Sequence, residues 1–154
     1  MLLKIKISMK KNNQDLFKKA KYFLNQHWAT TIVSTADKQG KPRAALFASL
    51  TMIDNSTIIM ACSDFQKTYK NLKENPYAHF LVIGLGRDYL DYEGVDGVRV
   101  IAKLAKDKKD GAYFKLFQKK MSSIGYKMTN YLVFKVIEIH SLAFMPRIEN
   151  NKDK

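Results

Sequence analysis

The first half of the chain shows three strand-like segments separated by two turns. The segment WATTIVSTA (28–36) reads as a strand that follows a more helical pattern. RAALFASLTMI (43–53) is a longer strand-like segment, and TIIMAC (57–62) is a third. The segments DKQGKP and DNS between them have the composition of turns. Three strands joined by short turns predict an antiparallel meander.

A helix is predicted before this meander. Asn13 or Asp15 could cap it, and the pattern continues to about His27. One face of this helix carries four apolar residues, Leu16, Ala20, Phe23 and Leu24. Further towards the N-terminus, LLKIKIS (2–8) alternates in a way that could form a short edge strand.

The second half of the chain mixes helices and strands. QKTYKNLKENP (66–76) and KKDGAYFKLFQKKM (108–121) predict helices, the latter with Tyr113, Leu116, Phe117 and Met121 at helical spacing. The predicted strands are YAHFLVIG (77–84), VRVIAKLA (98–105) and YLVFKVIEIHSLAFM (131–145). LGRDYLDYEGVDG (85–97) reads as an irregular connection.

The predicted order of elements is α-β-β-β-α-β-β-α-β. Several strands joined by short turns, without a regular βαβ repeat, favour a closed or nearly closed antiparallel barrel with helices over its openings. A Rossmann sheet is not expected, because GLGRDY holds only part of the glycine pattern and no helix follows it. We predict one domain over 1–154, with a strand and helix in 1–27, the barrel in 28–145 and a flexible tail in 146–154.

The formal net charge of +13 comes mostly from lysine. Only four of the 27 basic residues are arginines, the residue that provides forked contacts to bases and phosphates. The lysines are dispersed, and many fall on predicted amphipathic helices. Solvated helix faces therefore explain the charge better than a nucleic-acid surface, and nucleic acid is an unlikely partner.

Few other chemical features are present. The single cysteine, Cys62, excludes an internal disulfide framework, and we interpret it as an inert small apolar residue. His27, His79 and His140 lie on different predicted elements, so no metal site is predicted. The N-terminus lacks a signal-peptide core, and no segment approaches the roughly 20 apolar residues that cross a bilayer. We expect a soluble, cytoplasmic protein without a membrane partner.

The segment STIIMACSDFQKTYKNLKENP (56–76) leads from a strand into a lysine-bearing helix. The first amides of a helix lack intrahelical partners, so Thr68 and its neighbours could direct donors towards an oxygen-rich anion, with Lys67 supplying charge. In the alternative interpretation, Ser63 or Asp64 only caps the helix and Lys67 points into water. Both interpretations fit the local sequence.

The longer pattern favours the first interpretation. The segments ADKQGKPRAALFAS and MIDNSTIIMACSDFQKTYKNLKENPYAHFLVIG resemble the pyridoxamine 5′-phosphate oxidase-like FMN-binding split-barrel family, and the likeness runs from about Trp28 to Ala143. The resemblance implies a mainly β fold, a six- or seven-stranded antiparallel split β-barrel with Greek-key character and flanking helices. It also implies FMN as the cofactor and a homodimer with the flavin at the subunit interface.

The resemblance assigns cofactor-binding roles to ten residues. It implies that Lys67 and Thr68 bind the FMN phosphate. Along the first long strand, the isoalloxazine ring would lie beside Ala45, Leu46, Phe47, Ala48 and Ser49. The end of the next strand would follow the ribityl chain and the ring edge with Ala61, Cys62 and Ser63. For the second wall of the ring site, the partner subunit could supply GLGRDYLDYEG or AFMPR, with Phe144 and Arg147 as candidates.

The chain departs from true pyridoxamine 5′-phosphate oxidases at two places. GVRVIAK keeps Arg99 but lacks the glutamine of their Gln-Val-Arg segment, and the C-terminus lacks their tryptophan- and arginine-rich signature. We therefore predict an FMN-dependent oxidoreductase that acts on another small molecule or accepts electrons from NAD(P)H, with unknown catalytic residues. The alternatives are a non-catalytic FMN-binding or electron-transfer protein and a basic nucleic-acid-binding module. Because related split barrels bind haem or a deazaflavin, those cofactors also stay open.

Overall fold

In the part of the chain that the structure describes, the apolar segments form seven antiparallel strands, and three helices flank them. A computed structural model of the chain describes residues 14–25, 30–85 and 95–142. The strands are β1 (Thr30–Ala36), β2 (Pro42–Phe47), β3 (Leu50–Asp54), β4 (Thr57–Cys62), β5 (Tyr77–Leu85), β6 (Val95–Lys108) and β7 (Asn130–Ser141). The helices are α1 (14–24), α2 (Lys67–Glu74) and α3 (Ala112–Ser122). Within these residues the mainly β prediction is confirmed.

The strands form one sheet in the order β2-β1-β5-β6-β7-β4-β3. β4 lies beside β7, although β5 follows it in the chain, and this return gives the sheet Greek-key character. The edge strands β2 and β3 are consecutive in sequence, so Ala48 and Ser49 join the two edges covalently. The Ala61 amide donates to the Ser49 carbonyl at 2.8 Å, which ties this junction to β4. The result is a barrel that splits where β2 and β3 part.

The predicted strand RAALFASLTMI is therefore wrong as one uninterrupted strand. Its first half pairs with β1 and its second half with β4, and the pairing changes at Ala48 and Ser49. β6 also begins at Val95, where an irregular segment was predicted, and extends to Lys108. Two register shifts in its pairing with β7 allow this long strand to follow the curved barrel.

Two apolar clusters explain why TIIMAC is continuously hydrophobic. Ile58, Met60 and Cys62 point into the main core of the barrel. Ile59 and Ala61 point the other way, into a second cluster completed by α3. Because β4 is buried on both faces, it shows no alternation of polar and apolar residues.

Helices α1 and α2 contribute to the main core. Ala20, Phe23 and Leu24 of α1 are buried as predicted, and Leu72 of α2 joins them. α1 is described to residue 24, and the Asn25 side chain that follows it bonds to the Met52 backbone. No helix within the described residues is long and apolar enough to cross a membrane.

Some predictions fall on residues that the structure does not describe. They concern the N-terminal strand 2–8, the helix cap at Asn13, the helix end near His27, most of the irregular segment at 86–94, and everything from 143 onwards, including Phe144, Arg147 and the tail 146–154. The predicted second wall of the ring site lies largely within these ranges.

Candidate functional site

Strand β2 presents one exposed face at the edge of the sheet. The Phe47 side chain is buried and Ala45 is half-buried, whereas Leu46 is 70% exposed and Ala48 is exposed. β1 is its only strand partner among the described residues, so its other edge is open to a ligand or to another chain. A planar ring could lie against this edge, because small residues here allow close approach to the backbone.

The end of β4 lies next to the end of β2. Besides the backbone bond, the Ser49 hydroxyl donates to the Ala61 carbonyl at 3.3 Å. Ala61 and Cys62 are fully buried, and the Thr129 amide donates to the Cys62 carbonyl. The bonds of Ser49 to Ala61 therefore join the end of β2 to the strand that leads into α2.

Ser63 is also buried, and its polar groups bond within the chain. Its amide donates to Gln66 Oε1 at 3.1 Å, and its hydroxyl donates to the Lys127 carbonyl. The Tyr126 hydroxyl lies 3.2 Å from the Ser63 hydroxyl. In this arrangement Ser63 fixes the loop before α2 instead of offering a free donor.

The Cys62 thiol is protected from chemistry by its position. It is fully buried and donates to Gln66 Oε1 at 3.0 Å. Burial raises its pKa to about 12, so the thiolate form is negligible at neutral pH. The interpretation of Cys62 as an inert apolar residue agrees with this environment.

Gln66 occupies the N-cap position of α2. Its side chain makes no capping hydrogen bond to the helix, because it turns back to Ser63 and Cys62. Neither Ser63 nor Asp64 caps the helix, and the Asp64 amide donates to Thr129 Oγ1. The alternative interpretation of this segment is therefore wrong about a cap by Ser63 or Asp64, whereas the exposure of Lys67 agrees with its other part, a Lys67 that points into water.

The first turn of α2 gathers donors and carries no acid. The first amide with a helical acceptor is that of Lys70, which donates to the Gln66 carbonyl, so three earlier amides have no acceptor among the described residues. Lys67 is exposed, and the hydroxyl of the buried Thr68 has no hydrogen-bond partner within the same ranges. A cation, a hydroxyl and free amides together suit a phosphate group.

The sequence-predicted residues thus divide by accessibility. Leu46, Ala48 and Lys67 are exposed, whereas Ala45 and Ser49 are half-buried. Phe47, Ala61, Cys62, Ser63 and Thr68 are buried. Sequence reasoning missed Gln66 and also Asp107, which bonds to α2 from β6. No local pattern marks Asp107, because it lies 38 residues from its partner Tyr69.

Residues 14–25, 30–85 and 95–142 offer no candidate metal site as an alternative to the phosphate site. They contain no group of three or more His, Cys, Asp or Glu residues that could hold a metal ion. His79 and His140 lie on neighbouring rows of the outer sheet surface.

A family model described as pyridoxamine 5′-phosphate oxidase matches residues 16–143. The chain belongs to the pyridoxamine 5′-phosphate oxidase family. That match covers both the open strand β2 and the start of α2. Among the curated proteins, none matches significantly.

Solved structures of this family's fold are similar to the chain. An FMN-binding protein from Syntrophomonas wolfei subsp. wolfei is 29% identical, with a TM-score of 0.82 over 95% of this chain and 100% of that one. HupZ from Group A Streptococcus is 20% identical, with a TM-score of 0.64 over 81% of this chain and 92% of its own. The heme storage protein HutZ from Vibrio cholerae is 12% identical, with a TM-score of 0.53 over 84% and 92%. The last two likenesses concern the fold alone.

Proposed function

We propose that this protein is an FMN-binding oxidoreductase that acts on a small molecule not yet identified. One observation carries the proposal: the acid-free first turn of α2 presents Lys67, Thr68 and unpaired amides, and it follows β4, whose Ala61 is bonded to Ser49 just after the open strand β2. The 29% identical FMN-binding relative, which covers nearly the whole chain, supports FMN as the occupant.

Each part of the site would have a separate task. Lys67 and the amides of the first turn would bind the phosphate, and the Thr68 hydroxyl would donate a further hydrogen bond. The exposed edge and small residues of β2 would hold the ring plane, with Leu46 and Ala48 against it. Bound FMN supplies hydride and single-electron transfer, whereas the protein supplies orientation and electrostatics.

We also propose that the protein acts as a homodimer with the flavin at the interface. Leu46, Ile32 and Leu81 lie opposite one another on three neighbouring strands, so they share the outer surface of the sheet. Leu46 is exposed and the other two are half-buried in the single chain. A second copy covering this row would bury apolar surface and close the ring site.

The first test is the absorption spectrum of freshly purified protein, followed by titration of the apoprotein with FMN and riboflavin. Bound flavin gives a yellow protein, and we expect FMN to bind more tightly than riboflavin. A red protein would show that the bound cofactor is haem and not FMN. A colourless protein that binds neither flavin would refute the proposal. Rapid bleaching of bound FMN by NADH or NADPH would support an enzyme, whereas an FMN protein without turnover would favour electron transfer with a redox partner.

A further inference from the structure

A carboxylate on strand β6 bonds to the start of helix α2. Asp107, near the end of β6, is largely buried, with its side chain 17% exposed. Its Oδ2 accepts from the Tyr69 hydroxyl at 2.7 Å and from Lys73 Nζ at 3.3 Å. Tyr69 and Lys73 are four residues apart on α2, so both project from one face of the helix. Asp107 therefore fixes the first and second turns of α2 together.

The other oxygen of Asp107 reaches the loop before the helix. Oδ1 accepts from Asn130 Nδ2 at 2.5 Å, and Asn130 Oδ1 accepts from the Thr129 hydroxyl at 2.5 Å. The Thr129 hydroxyl in turn accepts from the Asp64 amide at 2.9 Å. This chain of bonds ends three residues before Lys67. Both sides of the phosphate-binding turn are thus tied to one carboxylate.

The protonation states suit this task. The hydrogen bond to Asp107 raises the pKa of Tyr69 to about 12, so its hydroxyl stays a donor at neutral pH. Burial opposes ionisation of Asp107, but hydrogen bonds from Tyr69, Asn130 and Lys73 outweigh burial and lower its pKa. Asp107 is therefore an ionised acceptor whose charge faces Lys73.

The helix needs such an external support. α2 has only eight residues, no side-chain hydrogen bond at its N-cap and no acid in its first turn. So short a helix is marginal without tertiary contacts, and a loosely held start would pay an ordering cost when it binds an anion. Leu72 in the core and Asn71 bonded to Thr35 anchor its second turn, whereas the first turn is anchored by Tyr69 against the core and by its bond to Asp107.

We propose that Asp107 is a positioning residue for phosphate binding: by fixing Asp64 and Tyr69, it holds the first turn of α2 in the conformation that directs the free amides, Lys67 and Thr68 at the phosphate of FMN. The inference rests on the proposed function and adds to it the residue that sets the geometry of the phosphate site. In this proposal Asp107 acts on phosphate binding only through its protein partners Tyr69, Lys73 and Asn130.

The test compares Asp107→Ala with Asp110→Ala. Asp110 is an exposed carboxylate with no hydrogen bond or ion pair to any described residue, so the control removes the same charge without the support. We expect Asp107→Ala to weaken FMN about tenfold or more and riboflavin less than about threefold, since riboflavin lacks the phosphate. Asp110→Ala should change neither affinity by more than about twofold.

Tyr69→Phe gives a second, milder test in case Asp107→Ala does not fold. It removes one hydroxyl and keeps the ring, so we expect a smaller loss, about threefold, that again appears with FMN only. Adding Tyr69→Phe to Asp107→Ala should cause almost no further loss, because Tyr69 acts through Asp107.

The outcomes separate this inference from the proposed function. If the wild type binds FMN but Asp107→Ala and Tyr69→Phe keep its affinity, the inference is refuted and the function is retained. Equal losses of FMN and riboflavin, together with a lower melting temperature of the apoprotein, would show a purely structural role and also refute it. A wild type that binds no flavin would refute both.

Discussion

Replacement of Lys67 by alanine tests the phosphate site most directly. Lys67 is exposed at the first position of α2, and no acid in that turn competes for its charge. An ion pair at about 4 Å contributes roughly 1 kcal/mol in water, and a hydrogen bond to a charged group contributes about 1.5–3 kcal/mol net. Because Lys67 is solvent-exposed, we take a screened value of about 1–2 kcal/mol. We therefore expect FMN to bind about 5–30-fold more weakly.

The control is Lys70→Ala on the same helix. Lys70 is also exposed, so its replacement removes the same charge. It lies three residues further along the helix than Lys67, away from the free amides. Calorimetric titration of each apoprotein with FMN and riboflavin gives the comparison. We expect less than about threefold loss of FMN for Lys70→Ala and little change in riboflavin affinity for either variant. The loss for Lys67→Ala should shrink as salt is added.

Two results would refute this reasoning. Equal losses of FMN and riboflavin in Lys67→Ala would place the phosphate elsewhere. Equal losses in Lys67→Ala and Lys70→Ala would mean that only the general positive charge of the protein attracts FMN.

The remaining predictions concern the ring site, the thiol, the barrel and the dimer. Ala48→Trp should lower flavin occupancy at an unchanged melting temperature of the apoprotein, because Ala48 is exposed; full retention of FMN would remove Ala48 from the ring site. Cys62 should resist thiol reagents at pH 8 in the native protein and react after denaturation, because burial raises its pKa to about 12; rapid native labelling would contradict this. Gly97→Ala should destabilise the fold by more than about 1 kcal/mol in denaturant unfolding, since an added Cβ would lie 2.0 Å from the Val82 carbonyl oxygen; unchanged stability would mean that the strands move apart easily. FMN should raise the melting temperature of a dimer, and sedimentation of the loaded protein as a monomer at tens of micromolar would disprove the interface.

The sequence predicts the order of elements well because buried positions form a recognisable pattern of apolar residues along the chain. The α1 face with Ala20, Phe23 and Leu24 and the buried run of β4 follow from side-chain pattern alone. The change of strand partner at Ala48 and Ser49 produces no such pattern, because small residues fit a continuous strand equally well. The extension of β6 also escapes prediction, since its bulges depend on the curvature of the sheet.

The candidate site divides in the same way. Lys67 and Thr68 are candidates from the sequence because a helix start that could bind phosphate is a local feature of strand, loop and first turn. The use of Gln66 to bond Ser63 and Cys62 is also local, but cap preferences point to serine and aspartate instead. Asp107 cannot be found from local sequence, because its partners Tyr69 and Asn130 come together only in the folded barrel.

This arrangement couples the proposed cofactor site to the closure of the barrel. Ser49, which follows the open strand β2, bonds to Ala61 of β4, six residues before Lys67, and Tyr69 of α2 bonds to Asp107 of β6. Opening the split at Ala48 and Ser49 would separate the strand proposed to bind the ring from the turn proposed to bind the phosphate. A ligand that contacts both parts therefore binds only the closed barrel and stabilises it, whereas inorganic phosphate, which can contact only the turn, should stabilise it far less.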